Sequence, residues 1–276
     1  MNMTSETLEA PDYETIKEKQ NAAWGSGNYA LIGSTVQLTG EELAERMNLS
    51  PGAEVLDVAA GNGNASLAFA RRWANVTSTD YVKSLLVSGE KRAIAEGLEI
   101  NYMVADAENL EVGYETYDAV VSTFGVMFAP NQEKAASELI RACKSGGKVG
   151  MANWTPDGFI GQLFKTIGKH VAPPKGVKSP ALWGTNEWLD RNFGTRANSI
   201  EIIEKQFMLR YPTPKFFVDF FRKYYGPVHK AFLALDSDGQ SKLERDILTV
   251  IDELNIAKDG SMCVPSDYLE VVVIKK

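Results

Sequence analysis

Hydrophobic and polar positions change period several times along the 276-residue chain. From about residue 53 to 153, short apolar runs alternate with amphipathic stretches, the pattern of a parallel sheet wound with helices. Five strands are predicted, at Ala53 to Ala59 (AEVLDVA), Asn75 to Thr79, Ile100 to Ala105, Tyr117 to Ser122 (YDAVVS) and Lys148 to Asn153 (KVGMAN), with four helices between them. The best-marked helix carries Ala136, Leu139, Ile140 and Cys143 on one face and is predicted to stop at Ser145-Gly146-Gly147. Another starts near Val82 and ends at Gly97, a residue suited to a left-handed cap. Upstream, Thr39 and Glu42 have the spacing of a capping box for a helix running to Met47, and Pro51-Gly52 turns the chain into the first strand. The extreme N-terminus, to about residue 12, is expected to be mobile.

After Trp154 the pattern breaks up. Pro156, Gly158, Pro173-Pro174, Gly176, Pro180 and Gly184 interrupt short helical pieces, as in a lid or a connecting region. Ser199 to Tyr211 alternates as a strand with Ile200, Ile202, Phe207 and Leu209 inward, and the change of parity predicts an irregularity between Ile203 and Phe207. An aromatic-rich helix follows from Pro214 to Tyr225. Leu243, Ile247, Val250, Ile251 and Leu254 then mark a long amphipathic helix, and Tyr268 to Ile274 (YLEVVVI) closes the chain as a strand.

Composition narrows the function. A content of 44% hydrophobic and 24% charged residues is that of an ordinary globular chain, so disorder and fibrous classes are excluded. The 29 basic and 36 acidic residues leave a net charge of −7, the wrong sign for a protein that grips nucleic acid through its phosphates. No apolar run is long enough for a membrane span and the first residues are polar and acidic, so a cytoplasmic location is expected. Two cysteines and two histidines are too few for a disulfide framework or a zinc site, and no metal is expected. The chemistry must then rest on an organic cofactor, carboxylates, tyrosines or positioning.

The informative segment is Val55 to Asn64 (VLDVAAGNGN), a buried strand running into a glycine turn that opens a helix. Gly61 and Gly63 let the backbone approach a ligand where a Cβ would collide. A dinucleotide fingerprint needs a third glycine where this chain has Ser66, and it has no use for Asp57 inside the strand. Asp80 ends the second strand and is placed to accept from both ribose hydroxyls; Asp106 follows the third, where it can accept from an adenine amino group. Alone, either is as readily a helix N-cap. The fourth strand leads into Thr123-Phe124-Gly125-Val126-Met127-Phe128, an apolar loop able to cover a ligand.

In order, VLDVAAGNG, STD, ADAENL, YDAVVSTFGVMF and CKSGGKVGMANW resemble the class I S-adenosylmethionine-dependent methyltransferases, and within them the UbiE-like (type 11) small-molecule group. The resemblance implies an α/β, Rossmann-like seven-stranded sheet, mostly parallel with the last strand antiparallel, helices on both faces and a helical lid. One domain is implied, with an N-terminal helical cap at 1–50, a cofactor-binding core at 51–154, lid and acceptor elements at 155–198 and 212–262, and closing strands at 199–211 and 266–276. The implied cofactor is S-adenosylmethionine, leaving as S-adenosylhomocysteine, and the partner is a small-molecule acceptor. By position, Ala59, Gly61 and Gly63 would approach its methionine part, Asp80 its ribose, Tyr81, Asp106 and Ala107 its adenine, and Thr123 its methionine end. Asp57 would organise the loop, or the cofactor ammonium through water. Ala60 departs from the Cys or Ser of many relatives, at a position whose contact is mainly through backbone.

Aromatics offer an apolar acceptor pocket, with Trp24, Phe128, Trp154 and Tyr225 the candidates; Trp183, Phe217, Phe221 and Tyr224 are further aromatics, in part simply core. His229 and Tyr29 are the candidates for a proton-handling group, and His170 ranks below them. Cys143 reads as core and Asp118 as solvent or turn structure. Nucleic-acid methyltransferase signatures are missing, since Ser122-Thr123-Phe124-Gly125 stands where an Asn/Asp-Pro-Pro-aromatic or Pro-Cys motif would. Two alternatives remain open: a nicotinamide-dependent oxidoreductase, and a non-catalytic S-adenosylmethionine-binding protein.

Overall fold

A computed structural model describes residues 11–276, so the expectation for the extreme N-terminus falls almost wholly outside the described residues. Five strands build the first part of the sheet: β1 (Glu54–Val58), β2 (Asn75–Asp80), β3 (Ile100–Val104), β4 (Tyr117–Thr123) and β5 (Cys143–Trp154). β6 (Ala197–Tyr211) and β7 (Met262–Lys275) complete it in the order β3-β2-β1-β4-β5-β7-β6. The ladders among β1 to β5 are parallel, and β7 runs antiparallel to both of its neighbours.

Alternate residues of one strand feed opposite layers, because side chains on a strand alternate across the sheet. Val55 of β1 packs with Leu43, Ala44 and Met47 of α3 (Gln37–Met47) and with Ala65, Ala68 and Phe69 of α4 (Asn64–Ala70). Leu56 and Val58 belong to the other layer, with Leu139 and Ile140 of α6 (Gln132–Ala142). That burial on both faces is why β1 reads as a nearly continuous apolar run. Between α4 and α6 lies α5 (Lys83–Glu96), which ends as expected at Gly97, in the left-handed region at φ 68°.

Several expectations need correction. No helix joins β3 to β4, so the core has three connecting helices. Instead Asp106 and Asn109 form an isolated bridge, Arg141 donates to the carbonyls of Leu110 and Val112, and Glu138 accepts from the Leu110 N–H. Side chains of α6 thus satisfy backbone that a helix would have satisfied itself. The stop at Ser145-Gly146-Gly147 is misplaced: α6 ends at Ala142, and these residues lie within β5. Gly146 has φ +76° and the pairing jumps from Tyr117↔Cys143 to Ala119↔Lys148, a bulge that two glycines permit. Cys143 is fully buried as expected, though on β5.

Thr39 does not cap a helix. α3 starts two residues before it, and its hydroxyl donates to the Val36 carbonyl, while Glu42 reaches Lys205 and the Tyr268 hydroxyl. The irregularity expected in β6 is also missing. Its pairing with β7 is unbroken from Ser199↔Ile274 to Tyr211↔Met262, so the pleat puts Ile200 and Ile202 on one face and Phe207 and Leu209 on the other. Asp118 is a cross-strand pin, accepting from the Glu54 N–H at 2.9 Å and pairing with Lys144. After β5 the chain forms α7 (Phe159–His170), α8 (Asn186–Phe193), α9 (Pro214–Tyr224), α10 (Gly226–Leu233) and α11 (Ser237–Leu254). Among the described residues no helix is long and apolar enough to cross a membrane.

Glu270 of β7 is completely buried, with Lys205 Nζ of β6 at 2.8 Å and Arg46 Nη1 of α3 at 3.4 Å. Arg46 also donates to the Glu270 carbonyl at 2.8 Å. A buried carboxylate that loses a cation is left with its desolvation uncompensated. Lys205→Ala is therefore expected to destabilise the fold by about 2–3 kcal/mol in urea unfolding, with Arg46 limiting the loss.

Candidate active site

The turn from β1 to α4 passes through three residues of positive φ: Ala59 at 52°, Gly61 at 58° and Gly63 at 84°. Positive φ is unusual for alanine, and such strain persists only where surrounding contacts enforce it. Here Asp57 supplies one contact. Its Oδ2 accepts from the Ser66 N–H at 2.8 Å and the Ser66 hydroxyl at 2.6 Å, capping the first turn of α4. Its Oδ1 is buried without a partner, and burial pushes the carboxyl up to about 7. From the other side Arg92 donates to the Asn62 carbonyl and to Asn64 Oδ1, both at 2.8 Å.

Asp80, at the end of β2, accepts from the Gly61 N–H at 2.9 Å and the Val82 N–H at 2.8 Å, one bond to each oxygen. A carboxylate has about four lone-pair sites, so half remain for a ligand. Burial pushes its pKa up to about 6 against those two bonds. Asp106, after β3, accepts from the Glu108 N–H at 2.9 Å and pairs with Lys17 Nζ at 2.7 Å. Burial opposes the charge on Lys17, but its bonds to Asp106 and Glu14 prevail and hold its pKa above the usual lysine value. At the end of β4, Ser122 donates to the Val58 carbonyl at 2.7 Å and accepts from the Val126 N–H. Phe124 follows at φ 56° and stacks on Trp154 with centroids 3.9 Å apart.

These strand ends bound a cleft of about 840 Å³. Ala59, Gly61, Asp80, Tyr81, Asp106, Ala107 and Thr123 all line it. Gly63 and Asp57 do not; they lie behind the turn and shape it. The roof is α1 (Tyr13–Ser26), whose Lys17, Gln20 and Trp24 face the cleft, together with Tyr29 at the start of α2 (Tyr29–Thr35). Asn21 donates to the Tyr81 carbonyl at 2.7 Å and Gln20 to the Phe128 carbonyl at 3.2 Å, so α1 is tied to the ends of three strands. The roof is therefore N-terminal; no residue of 155–198 or 212–262 lines this cleft.

A smaller cavity of about 410 Å³ shares Tyr29, Val36, Phe124 and Phe128 with the cleft and continues to Trp154, Ile160, Leu209, Phe221 and Tyr225. Trp24 meets Tyr29, Phe128 and Tyr225 edge-on, with centroids 5.0–5.4 Å apart. The four acceptor candidates are thus brought together, while Trp183, Phe217 and Tyr224 line neither space. His229 is not brought there either: its Nδ1 bonds the Arg222 carbonyl at 2.9 Å, and it lines neither cavity. His170 pairs with Asp246. Lys17, Gln20, Asn62 and Arg92 are residues that sequence reasoning missed: Lys17, Gln20 and Arg92 belong to no local motif, and Asn62, though inside the glycine segment, acts on the Ala30 carbonyl 32 residues away. Among the described residues no cluster of metal-ligating side chains exists.

A family model described as a methyltransferase domain matches residues 55–147. An uncharacterised protein of Mycobacterium tuberculosis is 34% identical over 262 residues, covering 93% of this chain and 95% of its own. The ubiquinone/menaquinone biosynthesis C-methyltransferase of Burkholderia mallei is 28% identical over 152 residues, 50% of this chain and 63% of that protein. The chain belongs to the class I S-adenosylmethionine-dependent methyltransferases. Solved methyltransferase structures share the fold. A candidate methyltransferase of Bacillus halodurans superposes with a TM-score of 0.59 at 19% identity, over 85% of this chain and 97% of its own. A Haemonchus contortus phosphoethanolamine N-methyltransferase, solved with phosphomonomethylethanolamine and S-adenosylhomocysteine, gives 0.54 at 20% identity, over 86% of this chain and 52% of its own.

In this methyltransferase a Cβ on Gly125 would lie 2.1 Å from the Ala59 carbonyl oxygen. Gly125→Ala is expected to push the two loops apart, lowering the melting temperature and abolishing S-adenosylhomocysteine binding in calorimetry. Asp57 makes a pH prediction. With a folded pKa near 7, it holds a proton that the unfolded chain has released. Its contribution to stability therefore declines as pH rises from about 4 to 7 and then levels off. Asp57→Asn keeps an acceptor for Ser66, so unfolding followed across that range is expected to show a shallower decline than wild type.

Proposed function

We propose that the larger cleft holds S-adenosylmethionine and that the methyl group passes in line to a small-molecule acceptor entering from the smaller cavity. The observation that carries the reading is the convergence of Asp80 and Asp106, at adjacent strand ends, on the cleft bordered by the Gly61 turn. Asp80 retains lone pairs for the two ribose hydroxyls, Asp106 and Ala107 suit the adenine edge, and Ala59 and Gly61 present backbone to the methionine part. Tyr81 forms a wall beside the adenine, and Thr123 stands near the reacting end. The bound cofactor supplies a sulfonium methyl: the S–C bond breaks as the acceptor–C bond forms, and sulfur keeps the electron pair as a thioether.

The chain's own contribution is alignment and exclusion of water. The roof of α1 and the aromatic wall of Trp24, Phe124 and Phe128 dry the reacting end, and aromatic faces favour a neighbouring cation. His229 is turned away to the Arg222 carbonyl and lines neither cavity, so it is not placed to take a proton from the acceptor. Two other readings are less well supported. Ser66 is bound by Asp57 where a nicotinamide site needs a close-packed glycine. A purely structural cofactor would leave the adjoining cavity without a purpose.

Calorimetry is expected to detect S-adenosylhomocysteine binding to wild type, and Asp80→Ala to weaken it by about 1–3 kcal/mol through lost hydrogen bonds. Affinity is further expected to fall as pH drops through about 6, where Asp80 takes up a proton, and this dependence should flatten in Asp80→Ala. An affinity unchanged by the substitution would refute the ribose assignment.

A further inference from the structure

We propose that the smaller cavity is the acceptor subsite and that it selects an uncharged, largely apolar molecule whose hydrogen-bond-accepting oxygen is met by the hydroxyl of Tyr29 or Tyr225. The inference rests on the cofactor reading above, because it takes the larger cleft as the cofactor's. The smaller cavity is walled mainly by aromatic and aliphatic side chains. Among the described residues its lining contains no Asp, Glu, Lys, Arg or His. Its polar side chains beyond Trp154 are Tyr29, Tyr225 and Thr35, and the Thr35 hydroxyl is already committed to the Ile32 carbonyl at 2.7 Å.

A phosphorylated or zwitterionic acceptor would lose its hydration here and gain no counter-charge, an uncompensated loss. Lys17, the one basic side chain lining the larger cleft among the described residues, cannot serve. It is held by Asp106, Glu14 and Glu108 at the strand ends where adenine is expected. Tyr225 is buried and Tyr29 partly buried, and neither hydroxyl makes a hydrogen bond among the described residues. Burial first, and then Asp80, pushes Tyr29 up to about 12; burial and Tyr29 raise Tyr225 further. Both therefore stay protonated and act as donors that orient an oxygen, not as bases. Tyr29, Phe124 and Phe128 line both spaces, so a molecule seated in the smaller one reaches the cleft beside Thr123.

The test uses the whole chain saturated with S-adenosylhomocysteine, titrated in a calorimeter with 1-naphthol, with phosphoethanolamine and with N,N-dimethylglycine. Binding of 1-naphthol alone is expected. Ile160→Trp and Thr35→Trp fill the cavity from different walls, and either is expected to weaken 1-naphthol by at least about tenfold while S-adenosylhomocysteine affinity stays within about twofold, which also reports folding. Tyr225→Phe is expected to weaken it by about threefold to tenfold. Binding of a charged probe in preference to 1-naphthol, or 1-naphthol affinity untouched by both fillings, overturns the subsite. Failure of S-adenosylhomocysteine itself to bind wild type overturns the cofactor reading instead, and the subsite with it.

Discussion

The bond from the Gly61 N–H to Asp80 is the contact on which the site depends. It joins the end of β2 to the turn after β1, and that turn contains a non-glycine residue in a left-handed conformation at Ala59. A path of this kind is not held by local preference. It is held by Asp80 on one side, by Asp57 capping α4 on another, and by Arg92 bridging Asn62 and Asn64. Two buried carboxylates with raised pKa values result, and that is the electrostatic cost of fixing a turn with side-chain acceptors in a dry layer. The same groups give a ligand with hydroxyls a prepared acceptor.

A second constraint comes from the opposite loop. Gly125 touches the Ala59 carbonyl so closely that the loops after β1 and β4 form one unit, and Phe124 adopts its own positive φ to stack on Trp154. The larger cleft and the apolar cavity therefore share a wall whose position is set by packing. The N-terminal helices complete that wall. Gly27 packs against the Tyr224 carbonyl and Gly226 against the Ala23 carbonyl, so the roof is docked on α9 and α10 through close backbone contacts. Those helices influence the cleft through the roof they support, while only Phe221 and Tyr225 reach the cavity.

Much of this was legible in the residues. The strand-glycine-helix passage, the acids at Asp80 and Asp106 and the strand at Tyr117 are local patterns, and local patterns survive into the structure because each is specified by neighbours in the chain. The errors share one cause. Thr39 looked like a cap, Ser145-Gly146-Gly147 like a helix stop, and the parity change in β6 like a bulge, since each has that meaning in isolation. In the fold, α3 begins earlier, the glycines serve a bulge inside β5, and β6 keeps its register while its covered positions pass from Ile200 and Ile202 on one face to Phe207, Leu209 and Tyr211 on the other.

The sequence by itself determined the sheet's parallel core, the glycine turn, the two acids that face it and the class of chemistry, because hydrophobic period and motif spacing are properties of contiguous residues. Tertiary structure alone decided what covers the cleft and what walls the adjoining cavity. The roof is α1, tied through Lys17, Gln20 and Asn21 to residues 60 to 108 positions away. The smaller cavity draws its walls from α2, the loop after β4, β5, α7, β6, α9 and the residue between α9 and α10. No period or motif encodes contacts of that range. They follow from how the closing strands and helices pack back onto the sheet, and that packing also leaves His229 outside both cavities.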